Sequence, residues 1–368
     1  MELIYNILCL LIDLQVKIID RIRPGWVLRN SSRINEWKLM AYAYSKSPVG
    51  VTGGFLVLIL IIMAIIGPVI SWEHYGDYPI AYNPELRLQP PTIPPWGDPT
   101  KSEMPLLGTD DWGRDVLAMT LYGIRISFVI SILIVSLGVP LGIILGLIAG
   151  YKGGTVDEIV MRFTDMFMAF PGLILAIAFA TVLPQRIRVL LESYPAIRDV
   201  LLYIFALTPQ DVGQLSALLS VMFALVLVWW PGYARIVRGT VLSVKEQAFI
   251  EAARALGLST RRILLKHLLP NIMSPILVFS TFDLATAALL AAALSFLGLG
   301  PQDPIPELGF MISKAGQFFP ERSWWMVMVY GITLLLIAFG WNLLGDSLRD
   351  VLDPKTRRAI EVRFKRRR

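Results

Sequence analysis

Long apolar runs separated by polar segments dominate the pattern of this chain. A helix that crosses a bilayer needs about 20 mainly apolar residues. Runs of about that length lie at about 49–70, 125–149, 163–183, 213–232, 273–297 and 324–344. Glycine and proline inside several runs are compatible with spanning helices, because neighbouring helices and water satisfy the freed backbone groups. The pattern predicts an all-α membrane protein with about six transmembrane helices, in a transmembrane domain that covers 49–344.

The first 48 residues carry an amphipathic pattern instead. One face of a helix over residues 3–20 would hold Ile4, Ile7, Leu8, Leu11, Leu14 and Ile18, and the opposite face is largely polar. Two interpretations stay open. The helix either lies in the membrane interface ahead of the first span or packs on the rest of the protein.

Composition agrees with a membrane protein. Apolar residues make up 55% of the 368 residues and charged residues only 17%, which is too few to cover a soluble protein of this length. The chain has one cysteine, Cys9, and two histidines. An intrachain disulfide and a Cys-based or His-rich metal centre are therefore excluded.

Lysine and arginine concentrate on alternate sides of the predicted spans. They are frequent before the first span, between the fourth and fifth spans, and in a basic tail over 345–368. The loop at 71–124 holds Arg87, Lys101 and Arg114 against a larger number of carboxylates. This bias predicts that both termini are cytoplasmic. It also accounts for the net charge of +6 without a nucleic-acid partner.

Residues 245–271 form an amphipathic segment between the fourth and fifth spans. Its helical pattern breaks at Gly257 and resumes as far as Pro270, which predicts two short helices joined by a Gly-Leu-Ser turn. The tripeptide at 251–253 sets a carboxylate beside two very small side chains, an arrangement that permits close approach by another protein. Composition alone favours a plain amphipathic loop helix over a docking site.

This segment resembles the EAA loop of the permease subunits of binding-protein-dependent ABC importers. The family pattern is Glu-Ala-Ala, then a glycine, then Leu-Pro, and the matching residues are Glu251, Ala252, Ala253, Gly257, Leu269 and Pro270. His267 stands where the general pattern has an apolar residue, which is typical of the oligopeptide/dipeptide/nickel branch. We call residues 245–271 the EAA loop from here on.

Further segments are similar to the same branch, and the last of them resembles the end of its C-type subunit. They lie at 107–128, 294–301 and 342–354. Two positions depart from the branch. Trp112 replaces a more usual aliphatic residue, and Ala291 stands where an acidic residue is frequent, so no role of that carboxylate is carried over to this chain.

The resemblance implies the type I ABC importer permease fold with cytoplasmic coupling helices, in the plasma membrane of a prokaryote. The chain would form half of the translocation pathway for peptides or a related small solute. Its implied partners are a second homologous permease in a heterodimer, two cytoplasmic ATPases and an extracytoplasmic solute-binding protein. Specificity in the family rests largely with the binding protein, so the cargo is not specified by this chain.

The resemblance also implies roles for the EAA loop. Glu251 would be the charged anchor in an ATPase cleft, Ala252, Ala253 and Gly257 would allow close fit, and Leu269-Pro270 would set the return into the fifth span. The local alternative is an ion pair of Glu251 with Arg254. No Walker-type phosphate loop is present, so ATP and magnesium would belong to the partner ATPases. The chain itself would bind no cofactor and would not be an enzyme.

Charged residues near the spans are further candidates. Arg162 and Asp165, at the start of the predicted third span, are placed to pair on one helix face. Asp283 lies inside the fifth span, where a carboxylate marks either the translocation path or an interhelical hydrogen bond. The acidic and basic residues at 110–115 precede the second span and would either contact the binding protein or cap the helix.

Two competing functions deserve comparison. A stand-alone secondary transporter or channel would need internal repeats and buried ion ligands, which the sequence lacks. A membrane aspartyl protease would use Asp165 or Asp346, but Asp346 is predicted near the inner surface rather than at mid-membrane. The segment at 184–212 is predicted as an outer insert, and one hypothesis makes it a platform for the binding protein.

Overall fold

The structure is a computed structural model that describes residues 2–75, 84–91, 106–205 and 207–352, with the side chains of 68–75 left out. Within these ranges the chain is helical, apart from turns, loops and one isolated bridge between Thr109 and Asp115. Most of the predicted basic tail and much of the proline-rich loop after the first span lie outside the described residues.

In the described part of the chain, six helices are long and apolar enough to cross a membrane. They are α4 (Pro48–Tyr75), α5 (Val116–Lys152), α7 (Gly172–Ser193), α9 (Val212–Val244), α12 (Leu269–Phe296) and α14 (Trp324–Leu352). The prediction of an all-α membrane protein with about six spans is therefore confirmed. The remaining helices precede or connect the spans: α1 (Glu2–Ile22), α2 (Trp26–Arg29), α3 (Ser31–Lys46), α6 (Gly154–Met168), α8 (Pro195–Ile204), α10 (Ala248–Ala255), α11 (Thr260–Ile263) and α13 (Leu308–Gly316).

Because the number of spans is even, α1–α3 and the end of α14 lie at the same end of the bundle. We call this end the termini side; it also holds α6, α10 and α11. The other end, the opposite side, holds residues 106–115, α8 and α13. These names do not depend on which side faces the cytoplasm.

The predicted limits of the third span are wrong. Residues 154–168 form α6, an amphipathic helix of its own, and the chain breaks before α7 begins at Gly172. The break has a local cause, because Pro171 is extended, at φ −56° and ψ 126°, and the residue before a proline is disfavoured in the helical region. The span instead continues to Ser193 and includes the first part of the predicted insert.

Other spans extend beyond their apolar runs. Helix α5 has 37 residues, which at 1.5 Å per residue is about 55 Å, against a hydrocarbon core of about 30 Å. Helix α9 likewise continues for twelve residues past 232, and α14 continues to Leu352. Hydropathy marks the part of a helix inside the membrane, whereas the backbone hydrogen bonds continue outside it.

Helices α5 and α9 pack closely along a row of glycines. The row on α5 consists of Gly138, Gly142, Gly146 and Gly150. A Cβ atom at Gly142 would lie 2.5 Å from the carbonyl oxygen of Trp230, and one at Gly146 would lie 2.6 Å from that of Ala234. Small residues at four-residue spacing let two helix backbones approach and pack in the absence of a hydrophobic driving force. This pair forms the rigid centre of the bundle.

The N-terminal helices lie against the protein rather than apart from it. Asp13 of α1 pairs with Lys38 of α3 at 2.7 Å, and the rings of Tyr5 and Tyr42 meet edge to face. Val16 is buried. The other side of α1 remains apolar and exposed, and it carries Leu3, Ile7, Leu10, Leu11, Leu14 and Ile18. The helix therefore packs on the protein and also presents an uncovered apolar face.

Candidate functional site

The EAA loop presents one face of α10 outward. Glu251 and Ala252 are exposed, whereas Ile250 and Ala253 on the other face are buried. Leu256, just after α10, is 80% exposed. The outward face thus combines one carboxylate, one small side chain and one apolar tip.

Two contacts hold the EAA loop to the end of α5, one from Arg254 of α10 and one from Lys245, the residue that ends α9. The guanidinium carbon of Arg254 lies 5.1 Å from the centroid of the Tyr151 ring, and Lys245 Nζ donates to the carbonyl oxygen of Gly150 at 3.1 Å. The expected ion pair between Glu251 and Arg254 is not formed. Arg254 turns towards Tyr151 instead, and Glu251 has no ion pair among the residues that the structure describes.

Gly257 and Ala253 act within the chain. Gly257 has φ +70°, a conformation that costs other residues energy, and its N–H donates to the carbonyl of Arg254 at 2.9 Å as the helix ends. Ala253 is 4% exposed and contacts its own bundle. The small residues therefore shape the loop itself, and Ala252 alone of the three alanine and glycine positions combines small size with the outward face of α10.

The second half of the EAA loop is not a separate short helix, contrary to the prediction. Helix α11 runs through a π-helical turn at Leu264–Leu268 directly into α12. Pro270 has no N–H to donate, and the wider turn, in which Leu269 N–H donates to Leu264 O, precedes it without breaking the helix. The second half of the EAA loop, from Thr260 onward, and the fifth span thus form one continuous helical rod.

A cavity of about 470 Å³ lies between α7, α9 and α12. Its wall is mainly apolar and aromatic, from Phe167, Met168, Phe170, Val228, Ile236 and Phe279. Trp229, Tyr233 and Asp283 supply the side-chain polar groups. Ligand sites of this kind are usually concave, apolar and furnished with a few polar groups.

Asp283 is the ionisable carboxylate of this cavity. Its Oδ2 accepts hydrogen bonds from Trp229 Nε1 at 2.8 Å and from Tyr233 Oη at 2.6 Å, both on α9. The interhelical hydrogen bond that sequence reasoning offered as one alternative is therefore present. The same residue also lines the cavity, so the two alternatives are not exclusive.

Arg162 and Asp165 do not pair with each other, and neither lies in a span. Both belong to α6, where Arg162 binds Glu158 at 2.6 Å, while Asp165 reaches across to Arg235 of α9 at 2.5 Å. The reason is the break before Pro171, which places both residues on the surface helix. Asp165, proposed above as one carboxylate of a protease, is thus engaged in an ion pair.

A second pair between α6 and α9 escaped the sequence analysis. Asp157 accepts from Arg238 Nε at 2.5 Å and from Nη2 at 2.6 Å. This bidentate contact holds the pKa of Asp157 below its usual range, because hydrogen bonds from Arg238 outweigh the opposing effect of burial. The spacing of Arg235 and Arg238, three residues apart on one helix face, is the signal that would have indicated a partner helix.

On the opposite side, buried charges form a network that we call the outer ionic cluster. Arg114 binds Asp110 at 2.6 Å and Asp303 at 2.8 Å. Lys314 binds Asp303 at 2.6 Å and Asp111 at 3.0 Å. The cluster ties the segment before α5 to the loop before α13. Sequence reasoning identified the residues at 110–115 but not Asp303 and Lys314, which are distant in the chain.

In the same region, Asp115 caps a helix and Trp112 covers the outer ionic cluster. Asp115 caps α5, accepting from Leu117 N–H at 2.8 Å, as one alternative expected. Trp112 lies over the cluster, its ring centroid 4.9 Å from the Arg114 guanidinium and 4.4 Å from Lys314 Nζ. Burial raises the pKa of Asp111 even though its hydrogen bond with Lys314 opposes the shift. Trp112, which departs from the family pattern, thus makes cation–π contacts with both cations of the cluster.

Two family models match the chain. Residues 142–358 match the binding-protein-dependent transport system inner membrane component, and residues 35–91 match the N-terminal TM domain of oligopeptide transport permease C. One solved structure, the MetNI methionine ABC transporter in inward-facing conformations, covers 67% of this chain and 95% of its own, with 17% identity and a TM-score of 0.43.

Curated relatives match nearly end to end. The dipeptide transport system permease protein DppC of Alkalihalophilus pseudofirmus is 34% identical over 88% of this chain and 91% of its own. The oligopeptide transport system permease protein OppC of Bacillus subtilis is 32% identical over 88% and 90%. The glutathione transport system permease protein GsiD of Escherichia coli is 34% identical over 87% and 90%.

Proposed function

Because this chain belongs to the family of binding-protein-dependent transport system inner membrane components, and is thus the permease subunit of an ABC importer, we propose that it forms half of a peptide translocation pathway. The other half is a second homologous permease in a heterodimer. Support for a peptide cargo comes from the relatives, whose names specify dipeptides, oligopeptides and glutathione. The branch also includes nickel chelate importers, which makes such chelates the second candidate cargo.

The partners follow from the family and from the charge pattern. Two cytoplasmic ATPases use ATP and magnesium, and an extracytoplasmic binding protein delivers the solute, so that this chain binds no cofactor and catalyses no reaction. Basic residues concentrate on the termini side, which supports a cytoplasmic location of both termini in the plasma membrane of a prokaryote. The opposite side, with α8 and the outer ionic cluster, then faces the binding protein.

Coupling to the ATPase is the function of α10. The observation that carries this proposal is the division of α10 into a buried face, clamped to α5, and an outward face with Glu251, Ala252 and the exposed Leu256. An ATPase cleft receives the outward face. Gly257 and Ala253 maintain the shape of the loop that presents it.

The motion then passes to the membrane as a rigid-body displacement. Helix α11, the π-helical turn and α12 form one rod, in which Leu269 and Pro270 lie without a break. Displacement of this rod moves the cavity wall, including Asp283, since small shifts at an interface switch packed helices between discrete arrangements. Asp165 and Asp157 keep α6 attached to α9 during this movement, and Arg162 stays at the surface.

The experiment that tests the proposed function is co-purification in mild detergent, followed by reconstitution. The wild-type chain should retain a second permease and two ATPases, and should support ATP-dependent uptake of radiolabelled trialanine when the binding protein is added. Glu251→Arg should lose the ATPases while retaining the second permease. The matched control is Glu246→Arg, a charge reversal at an exposed position just outside α10, which should retain both. A chain that purifies alone would overturn the proposal.

A further inference from the structure

Asp283 has a carboxylate oxygen that is free to meet a ligand in the cavity. The residue lies at the middle of α12 and lines the cavity, and an ionised side chain within a spanning helix is typical of a site that faces a cavity or meets a partner. Trp229 Nε1 and Tyr233 Oη both donate to Oδ2. These donors are neutral, so they orient the carboxylate without cancelling its charge.

No cation in the described part of the chain pairs with this carboxylate. The residues that line the cavity include no lysine, arginine or histidine, and none forms an ion pair with Asp283 in the described part of the chain. The carboxylate oxygen Oδ1 has no hydrogen-bond donor among those residues either. Oδ1 is therefore available to a positive group on a molecule that enters the cavity.

The walls favour an organic cation. Phe167, Phe170 and Phe279 join Trp229 and Tyr233 around the carboxylate, and aromatic faces attract cations as well as apolar groups. A divalent metal would need several ligands of its own, and the described residues contain no group of three or more His, Cys, Asp or Glu side chains placed to hold a metal ion. A volume of about 470 Å³ is within the usual range for small ligands.

We propose that Asp283 binds the terminal ammonium group of a peptide in transit, through Oδ1, while the aromatic wall holds the adjacent side chain. This inference rests on the proposed function and gives the peptide an orientation in the pathway, amino terminus towards α12. Tyr233 and Trp229 are positioning residues, because they hold Oδ2 and so aim Oδ1 into the cavity.

The test uses the assembled importer in proteoliposomes, with binding protein and radiolabelled trialanine. Asp283→Asn keeps the shape and a hydrogen-bond acceptor but removes the charge, and it should lower the maximal uptake rate by roughly tenfold or more, as loss of a charge-assisted hydrogen bond predicts. Asp283→Glu should restore part of the rate. ATP hydrolysis stimulated by loaded binding protein should persist in both variants. Uptake of N-acetylated trialanine, which has no ammonium, should change much less.

Three other results would overturn the inference. Uptake of trialanine by Asp283→Asn at the wild-type rate would make the carboxylate a purely structural hydrogen-bond acceptor. Loss of the second permease from that variant would show that Asp283 binds a group of the partner subunit instead. Equal losses for free and acetylated peptide would assign Asp283 to helix motion. If the binding protein does not deliver the acetylated peptide, the test rests on the trialanine uptake rates of Asp283→Asn and Asp283→Glu, which are compared with that of the wild type. Absence of uptake by the wild type would instead contradict the proposed function.

Discussion

Arg254 lies over the ring of Tyr151, with 5.1 Å between the guanidinium carbon and the ring centroid. The contact joins α10, the outward helix of the EAA loop, to the end of α5, which packs along its glycine row against α9. It also removes Arg254 from Glu251, three residues away on the same helix. The orientation of Arg254 thus anchors α10 to α5 and leaves the Glu251 carboxylate exposed to a partner.

This contact leads to a prediction about coupling. Tyr151→Ala should loosen α10, because a cation–π contact at an exposed site contributes about 0.5–1 kcal/mol. We expect the ATP consumed per trialanine imported to rise roughly two- to fivefold, which is that energy expressed as a population ratio. The measurement compares ATP hydrolysis with uptake in proteoliposomes. Tyr151→Phe keeps the ring and should behave as the wild type; a rise equal to that of the alanine variant would contradict the role of the ring.

Leu256 should contribute to ATPase binding rather than to folding. Its side chain is 80% exposed, so Leu256→Asp leaves the core intact, and a change of under about 0.5 kcal/mol in stability is expected for such a surface site. The same change puts a charge at the centre of a partner contact and should abolish co-purification of the ATPases. Leu256→Met should retain them. Normal ATPase binding by the aspartate variant would exclude Leu256 from the interface.

The glycine row predicts that thermal stability responds differently to an alanine inside the row and to one at a glycine outside it. Gly142→Ala places a Cβ atom 2.5 Å from Trp230 O and should destabilise the bundle by about 1–3 kcal/mol, the usual range for overpacking. Gly239→Ala on α9 meets nothing within 4 Å and should be neutral or slightly stabilising, because alanine favours helix over glycine. Thermal unfolding in detergent measures both. Equal midpoints for the two variants would contradict close packing of α5 on α9.

The outer ionic cluster should be sensitive to removal of one partner. Arg114 is 3% exposed and binds both Asp110 and Asp303. Arg114→Met leaves Asp110 without its cation and leaves Asp303 with Lys314 alone, and breaking a buried pair in this way costs about 3–5 kcal/mol. A second change, Asp110→Asn, should recover part of the thermal stability because it removes the unpaired charge. A double variant no more stable than Arg114→Met would show that the two residues are not coupled.

The pair of Asp157 with Arg238 predicts a pH dependence. The pKa of Asp157 is lowered in the folded chain, so the pair stabilises the fold fully above the unfolded pKa of about 4 and loses that contribution as pH falls through the folded value. The difference in unfolding midpoint between the wild type and Asp157→Asn should therefore stay constant from neutral pH down to about pH 5 and shrink below about pH 4. A difference that shrinks already near neutral pH would assign the effect to another group.

Local patterns predict much of this architecture. The six spans follow from apolar runs, because a lipid environment imposes the same length requirement on each helix independently of its neighbours. The turn at Gly257 follows in the same way, since a left-handed backbone favours glycine wherever it occurs. The limits of the third span were wrong because α6 has an apolar face of its own, and hydropathy does not distinguish that face from a span.

The sequence by itself determined the class of protein, the number of spans, the family and the presence of the EAA loop, since each depends on residues that are near one another in the chain. The tertiary structure alone decided which partner each charged residue contacts: Arg254 contacts Tyr151, Asp165 contacts Arg235, Arg114 contacts Asp303, and Asp283 contacts Tyr233. Ion pairs and hydrogen bonds act over a few ångströms in space, and the fold brings together residues up to 216 positions apart. The hydropathy and charge pattern of the sequence does not specify those distances.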